Sequence, residues 1–353
     1  MTTSSVAAST VPFNAENRLY IDGELRDSST GRTIENINPA TEEVLGVATD
    51  AGAEDMEAAI TAARRAFDST DWSTNREFRQ HCLMQLHDTL QEEKEDIRAE
   101  LIAEVGAPLS STYIAQLEWP IADAVGWPAR YISEFPWERA LPDGALLGSP
   151  YHRKVVKEAV GVVGAITPWN FPFEIISNKV AQVLATGNTM VLKPAIETPW
   201  SGLRWGRIVA EKTDIPAGVF NVVATSDNGV AQLLATDPRV DMVSFTGSTA
   251  VGKLLQSLSA DTMKRTLLEL GGKSAYMVLD DADMESVLPG CMGALIHSGQ
   301  GCGLTTRMLV PRQVYDQAVE VATATLRRFP SETQPILRRF AVLWCRPSSM
   351  SAC

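Results

Sequence analysis

From about Val155 onward the chain alternates short β-branched runs with helix-like segments, and few folds accept that alternation. The runs are "VGVVGAIT", "TMVLKP", "VFNVVAT" and "VDMVSFT"; between them lie segments such as "WSGLRWGRIVAEKT" and "GVAQLLAT". Near-continuous apolar strands separated by helices predict a parallel sheet covered on both faces and joined by right-handed crossovers. Such a sheet is of the nucleotide-binding α/β type, and its ligands sit at the carboxyl ends of the strands.

Upstream, "LYIDGELRD" and "NPATEEVLGVA" read as short strands punctuated by turn residues. "AEDMEAAITAARRAFD" and the stretch from Asn75 to Val105 place apolar residues at three- and four-residue spacing, which predicts packed helices. The first 18 residues are polar and lack the order of a secretory signal, so they read as a frayed tail.

The residues that close each strand carry the functional interest. "PWNFP" follows the first run, and its two prolines limit how far Asn170 can wander. Lys193 closes the second run. "FTGSTAVG" follows the fourth, with Gly247 opening a helix whose free N–H groups favour an anion. Taken singly each signal is weak: a strand-end lysine is most often solvated, and many helices begin Gly-Ser. All three, however, fall at one edge of one sheet. Downstream, "LLELGGKSA" puts Glu269 at the end of a further apolar run, where it could cap a turn. "DDADMESVLPGCMGALIHSGQG" reads as one helix with a proline-glycine interruption, with Cys291 a buried, inert thiol and His297 facing the helix's surroundings. Gly299, Gly301 and Gly303 then flank Cys302, leaving room for something large to approach one sulfur.

The bulk properties exclude several classes. A net charge of -12 repels a phosphate backbone, which argues against nucleic acid. No apolar run approaches the ~20 residues of a membrane-spanning helix. Five scattered cysteines suit reduced thiols in a cytoplasmic protein, and none pairs with another cysteine or a histidine at zinc-ligand spacing.

"ITPWNFP", "FTGSTAVG", "LELGGKSA" and "GQGC", in this order and spacing, closely resemble the aldehyde dehydrogenase superfamily, over about Leu19 to Leu326. The resemblance implies a Rossmann-like nucleotide-binding domain (19–134 and 158–265), an oligomerisation hairpin (135–157, holding "LLGSPYHRKVVKEAV") and an incomplete α/β catalytic domain (266–326). It implies oxidation of a small aldehyde to a carboxylic acid with hydride transfer to NAD, NADP not excluded. Cys302 would be the nucleophile, Asn170 with the Cys302 N–H the oxyanion donors, and Glu269 the base that activates water. Cofactor contacts are implied for Ile166, Thr167, Pro168, Trp169, Lys193, Gly229, Phe245, Thr246, Gly247, Ser248, Val251, Gly252, Leu270 and Gly271. Trp119, Trp127 and Phe171-Pro172-Phe173 hint at an apolar aldehyde channel, although aromatics on helices are more often core. Full-length members are homodimers or homotetramers.

Three departures from the family pattern stand out. "KPAIETP" has Ile196 where an acidic residue usually grips the ribose, with Glu197 one place later; the missing carboxylate removes a like-charge objection to a 2′-phosphate. Ala224 and Thr225 stand where glycine is common, although Gly229 remains. The segment from Arg327 holds five arginines, one glutamate and no lysine or aspartate, against an acidic body. The expectation is an aberrant tail, a frameshifted C-terminal third, exposed apolar surface and unpaired strand edges. The rival readings are an inactive fragment that at most binds nucleotide, and a thioesterase-like hydrolase that uses the thiol alone.

Overall fold

The computed structural model describes residues 13–327. The expected α/β sheet is present. Its parallel strands are β7 (Val162–Ile166), β8 (Thr189–Lys193), β9 (Phe220–Val222), β10 (Met242–Gly247) and β11 (Arg265–Leu270). An antiparallel pair, β1 (Leu19–Ile21) and β2 (Glu24–Arg26), extends the sheet beyond β9, giving the order β11-β10-β7-β8-β9-β1-β2. β7 is wholly buried, as are the first four residues of β8, which is why both read as continuous apolar runs.

Helices cover both faces. On one side, α1 (Ala53–Ser69) packs on β7, β8 and β9, beside α6 (Asn228–Thr236) and α7 (Thr249–Ser259). On the other lie α2 (Arg76–Glu92), α3 (Lys94–Val105), α4 (Pro172–Ala185) and α5 (Pro199–Lys212). The starts of the crossover helices are set locally. Pro172 and Pro199 stand in the first turns of α4 and α5, where a missing N–H costs nothing. Asp227 and Ser248 accept hydrogen bonds from the first-turn N–H groups of α6 and α7. The chain enters β7 at Gly161 with φ +133°, and a Cβ there would lie 1.8 Å from Asp241 Oδ2. Only glycine lets that carboxylate reach the Val162 N–H, at 2.7 Å.

Several sequence expectations need correction. The frayed tail does not extend to residue 18. Phe13 is buried edge-on against Trp200 at 6.2 Å, and the Asn17 carbonyl accepts from the Thr49 N–H. The strand Arg265–Leu270 is an edge strand of the seven-stranded sheet, in parallel and unbroken register with β10. The stretch 281–302 is not one helix. A single turn, 284–287, leads into a 3₁₀ stretch, 288–299, in which Ile296, His297 and Ser298 leave helical geometry. Pro289, Gly290 and Gly293 weaken any α-helix there, and Leu288 and His297 alone in the 3₁₀ stretch are buried. Cys291 is accordingly half-buried rather than core. Phe173 is core, 1% exposed and packed on Trp205, so it lines no channel.

Three further ladders stand apart from the main sheet among the described residues. β3 (Thr33–Ile37) pairs with β4 (Val44–Thr49), and β5 (Glu138–Leu146) pairs with β6 (Ser149–Val156) across a Leu147-Gly148 turn with φ positive at both residues. Leu146, Leu147, Tyr151, Val155 and Val156 on the β5–β6 hairpin are exposed. β12 (Ala275–Met277) pairs in parallel with β13 (Arg307–Leu309), followed by α8 (Tyr315–Arg327). Met277, Leu279, Ile296, Leu309 and Tyr315 are exposed in this region. The composition shift after Arg327 lies outside the described residues.

The α3–α5 contact is ionic and buried. Arg204 donates to Glu100 Oε2 at 2.8 Å, to Glu93 Oε2 at 2.9 Å and to the Asn14 carbonyl at 3.1 Å. One turn along α3, Glu104 accepts from the Trp200 and Ser201 N–H groups at 2.8 and 3.0 Å, closing the N-terminus of α5. Replacing Arg204 with methionine would strand the Glu100 carboxylate in the interior. Urea denaturation should then show a loss of about 3–5 kcal/mol, partly recovered by adding Glu100→Gln. A loss under about 1 kcal/mol would mean the pair carries no such role.

Candidate active site

The strand register gathers the residues singled out from the sequence. Ile166 lies opposite Lys193 on β8 and opposite Phe245 on β10, so the three form one row across the carboxyl edge. One residue on, Thr246 lies opposite Glu269, and Gly247 opposite Leu270. Three strand spacings of ~4.8 Å put Lys193 and Glu269 about 14 Å apart along that edge. Thr167, Pro168 and Trp169 occupy the loop between β7 and α4. Ser248 caps α7, whose first turn holds Val251 and Gly252; Gly271 follows β11 and is open to solvent. Gly229 stands in the first turn of α6, after β9, nearer the far end of the row.

Asn170 is fixed on both sides. Its Nδ2 donates to the Gln300 carbonyl at 2.6 Å. Its own carbonyl accepts from Gln116 Nε2 at 2.9 Å and from His297 Nε2 at 2.8 Å. A carbonyl can only accept, so His297 carries its proton on Nε2, and burial pushes its pKa down and keeps the ring neutral. The Phe171 ring packs edge-on against it at 4.9 Å. To bring Gln300 back to Asn170 the chain takes three successive left-handed residues, His297 (φ 51°), Ser298 (φ 57°) and Gly299 (φ 78°). Two of these are not glycine, a strain of roughly 1–3 kcal/mol each that the buried His297 contacts hold in place. His297 and Gln116 are therefore site residues that sequence reasoning missed. His297 and the left-handed turn both lie in "IHSG" and Gln116 far upstream, and nothing in the spacing tied either to Asn170.

Cys302 follows two residues after Gln300 and is exposed. A methyl group added at Gly272 would sit 3.6 Å from the Cys302 carbonyl oxygen, so the turn after Glu269 runs against the cysteine loop. Asn170, through Gln300, and the turn after Glu269, through Gly272, thus both meet the loop that carries Cys302. Glu269 is exposed at the end of β11. Beneath it, buried Lys179 on α4 donates to Ser244 Oγ at 2.7 Å. Burial pushes this ammonium down to about 8, against the pull of Glu269 and Glu174. Lys179, too, was missed from the sequence, because a lysine two residues after Ser177 on an apolar helix gives no sign of which strand it reaches.

The residues at this edge fit a dinucleotide. Thr167 Oγ1 and Thr246 Oγ1 are buried there without a hydrogen-bond partner, and the capped N-terminus of α7 presents its first-turn N–H groups. Lys193 is depressed by burial and supported by Glu197 and Asp50. Asp50 is held by the Ser226 N–H and hydroxyl, both at 2.8 Å. Among the described residues, no group of three or more His, Cys, Asp or Glu side chains could hold a metal ion, and no helix is long and apolar enough to cross a membrane.

The sequence profile of the aldehyde dehydrogenase family matches residues 25–335. The chain belongs to that family. It is 39% identical over 310 residues to 3-succinoylsemialdehyde-pyridine dehydrogenase of Pseudomonas sp, covering 86% of this chain and 61% of that protein. It is 36% identical to succinate-semialdehyde dehydrogenase [NADP(+)] 1 of Schizosaccharomyces pombe, covering 88% and 61%. Among solved structures it resembles aldehyde dehydrogenase C of Pseudomonas syringae in complex with NAD+ and octanal. The TM-score is 0.82 at 32% identity, covering 93% of this chain and 64% of that one. An NAD+ complex of the Bacillus cereus enzyme matches equally well, with TM-score 0.82, 34% identity, and 90% and 64% covered. The chain spans about three-fifths of the length of the curated relatives it matches.

Lys179 supplies a test of the site's electrostatics. Between about 8 and the ordinary value of 10.5, the unfolded chain holds a proton on Lys179 that the folded chain has released. The folded state therefore gains stability as pH rises through that window, by up to about 1.4 kcal/mol per pH unit. Urea midpoints from pH 7.5 to 10.5 should rise more steeply for the natural chain than for Lys179→Met. Parallel curves would show that the ammonium is not desolvated.

Proposed function

We propose that the fold serves oxidation of an aldehyde to a carboxylic acid with a nicotinamide dinucleotide as hydride acceptor. The observation that carries the proposal is the convergence of Asn170 and the turn after Glu269 on the exposed cysteine loop, at the carboxyl edge of a dinucleotide-type sheet.

Cys302 Sγ, as thiolate, forms a bond to the aldehyde carbon, and the carbonyl electron pair moves to oxygen. The resulting oxyanion needs donors already in place. Asn170 Nδ2 has two hydrogens; one is committed to Gln300, which fixes the amide plane, and the other is free to join the Cys302 N–H. As the oxyanion collapses, the C–H electron pair leaves as hydride and the Cys302–acyl link becomes a thioester; a nicotinamide dinucleotide held at this edge would supply the acceptor for that hydride. Glu269 then removes a proton from water as it attacks the thioester; the acid departs and Cys302 regains a thiolate. Lys193, the α7 N-terminus and the two unpartnered threonine hydroxyls, Thr167 and Thr246, would hold the dinucleotide. The carboxylates of Glu197 and Asp50 within electrostatic reach of Lys193 disfavour an added 2′-phosphate, which supports NAD over NADP.

Aldehyde-dependent absorbance of reduced nicotinamide tests this reading. Cys302→Ala should abolish it, and Asn170→Ala should lower kcat about 10²–10³-fold. Glu269→Gln should leave a thioester visible by mass spectrometry as an acyl adduct on Cys302. Thermal stabilisation by NAD with no turnover on any aldehyde would instead favour a chain that only binds nucleotide. An adduct that forms and hydrolyses without nicotinamide reduction would favour a thioester hydrolase.

A further inference from the structure

The main sheet ends on one side in β11, whose outer edge carries no further strand among the described residues. The opposite edge is blunted: β2 has three residues, and Arg26 on it is paired with Asp55. β11 has six residues, and neither of its charged side chains, Arg265 and Glu269, makes a hydrogen bond or ion pair among the described residues. Its free backbone groups follow from alternation along the strand. The Arg265 N–H donates to the Asp241 carbonyl on the β10 side, at 3.2 Å. The N–H and C=O groups of Thr266 and Leu268 therefore point the other way, toward the open edge.

The side chains of β11 divide by face. Thr266, Leu268 and Leu270 are half-buried on the α7 side, where Leu270 lies against Gly252. Arg265, Leu267 and Glu269 lie on the other face and are exposed, Leu267 by 46%. Along the strand that face runs cation, leucine, anion at two-residue steps, a pattern complementary to its own reverse. In an antiparallel pair of two such strands centred on Leu267, leucine meets leucine and each Arg265 meets a Glu269 of the second copy. The same register sets Thr266 opposite Leu268. Both offer free backbone groups, so those rungs are hydrogen-bonded, and the leucine and charged rungs are the non-hydrogen-bonded kind whose side chains approach more closely. A slip of two residues sets Leu267 against Arg265 or Glu269. A slip of one sets edge-pointing groups against groups already spent on β10.

We propose that β11 is a contact surface for a second copy of this chain, the two joined about a two-fold axis at Leu267 as an antiparallel strand pair that continues the sheet from one copy into the next. Charge complementarity selects this occupant, since the cation of each strand faces the anion of the other. Met263, 91% exposed at the turn before β11, comes opposite Gly271 of the second copy, where a Cβ would have nothing within 4 Å. The surface is separate from the exposed β5–β6 hairpin. It stands on strand geometry and is independent of the aldehyde-oxidising reading.

Position 267 lies on the axis, so a crosslink there reports the register directly. Opposite residues of a non-hydrogen-bonded rung have Cα atoms ~4.5 Å apart, within reach of a disulfide. The whole chain carrying Leu267→Cys, mildly oxidised, should give a covalent dimer whose peptide map joins position 267 to itself. Sedimentation of the whole chain should show self-association that Arg265→Glu weakens at least about tenfold. Adding Glu269→Arg to that variant should restore it, because the reversed pairs keep the complementarity. The crosslink decides alone where a charge variant fails to fold. A monomer at all concentrations up to about 100 μM, association untouched by Arg265→Glu, a double variant no tighter than the single one, or a covalent dimer joined elsewhere than position 267 would each overturn the surface. Association through the β5–β6 hairpin alone would show itself as the second of these outcomes.

Discussion

One peptide carbonyl, that of Asn170, organises the site. It accepts from His297 and Gln116, while the side chain of the same residue donates to Gln300. Three separate segments are thereby fixed to one another: the crossover loop after β7, the turn around Gln116, and the loop that carries Cys302. A left-handed run of three residues would not persist in a solvated loop by itself. It persists here because His297 is buried, neutral and bonded. Cys302 stays exposed while the backbone two residues earlier is held, which is how a thiol can be both reachable and positioned.

The sheet was legible in the sequence because its strands are buried on both faces. Apolar runs such as Val162–Ile166 and Thr189–Lys193 need no alternation to be recognised, and each ends at the edge where the proposed cofactor contacts lie. Register then did the rest: once Ile166 pairs with both Lys193 and Phe245, the cofactor candidates must share an edge. Glu269 followed for the same reason, since β11 extends that edge by one strand.

What the sequence concealed was set by tertiary contact rather than by local pattern. Leu288–Gly299 has an apolar composition suited to a helix, yet Pro289 and three glycines leave it dependent on packing that few of its residues receive. Lys179 reads as an ordinary helix lysine until the structure carries it to Ser244 on β10. Trp119 and Trp127 sit at helical spacing that suggests a core, and only the structure shows the pair facing outward over carboxylates. Phe173, proposed for the same channel, went the other way, into the contact with Trp205.

The two lysines near the site solve one electrostatic problem in two ways. Each is partly desolvated, which disfavours its charge, and each is supported by carboxylates rather than by water. Lys193 draws on Glu197 and Asp50, and Asp50 is itself anchored by Ser226 and Arg32. Lys179 draws on Glu269 at the end of β11 and on Glu174 in the first turn of α4. A charge change on either carboxylate is therefore felt through the same buried ammonium.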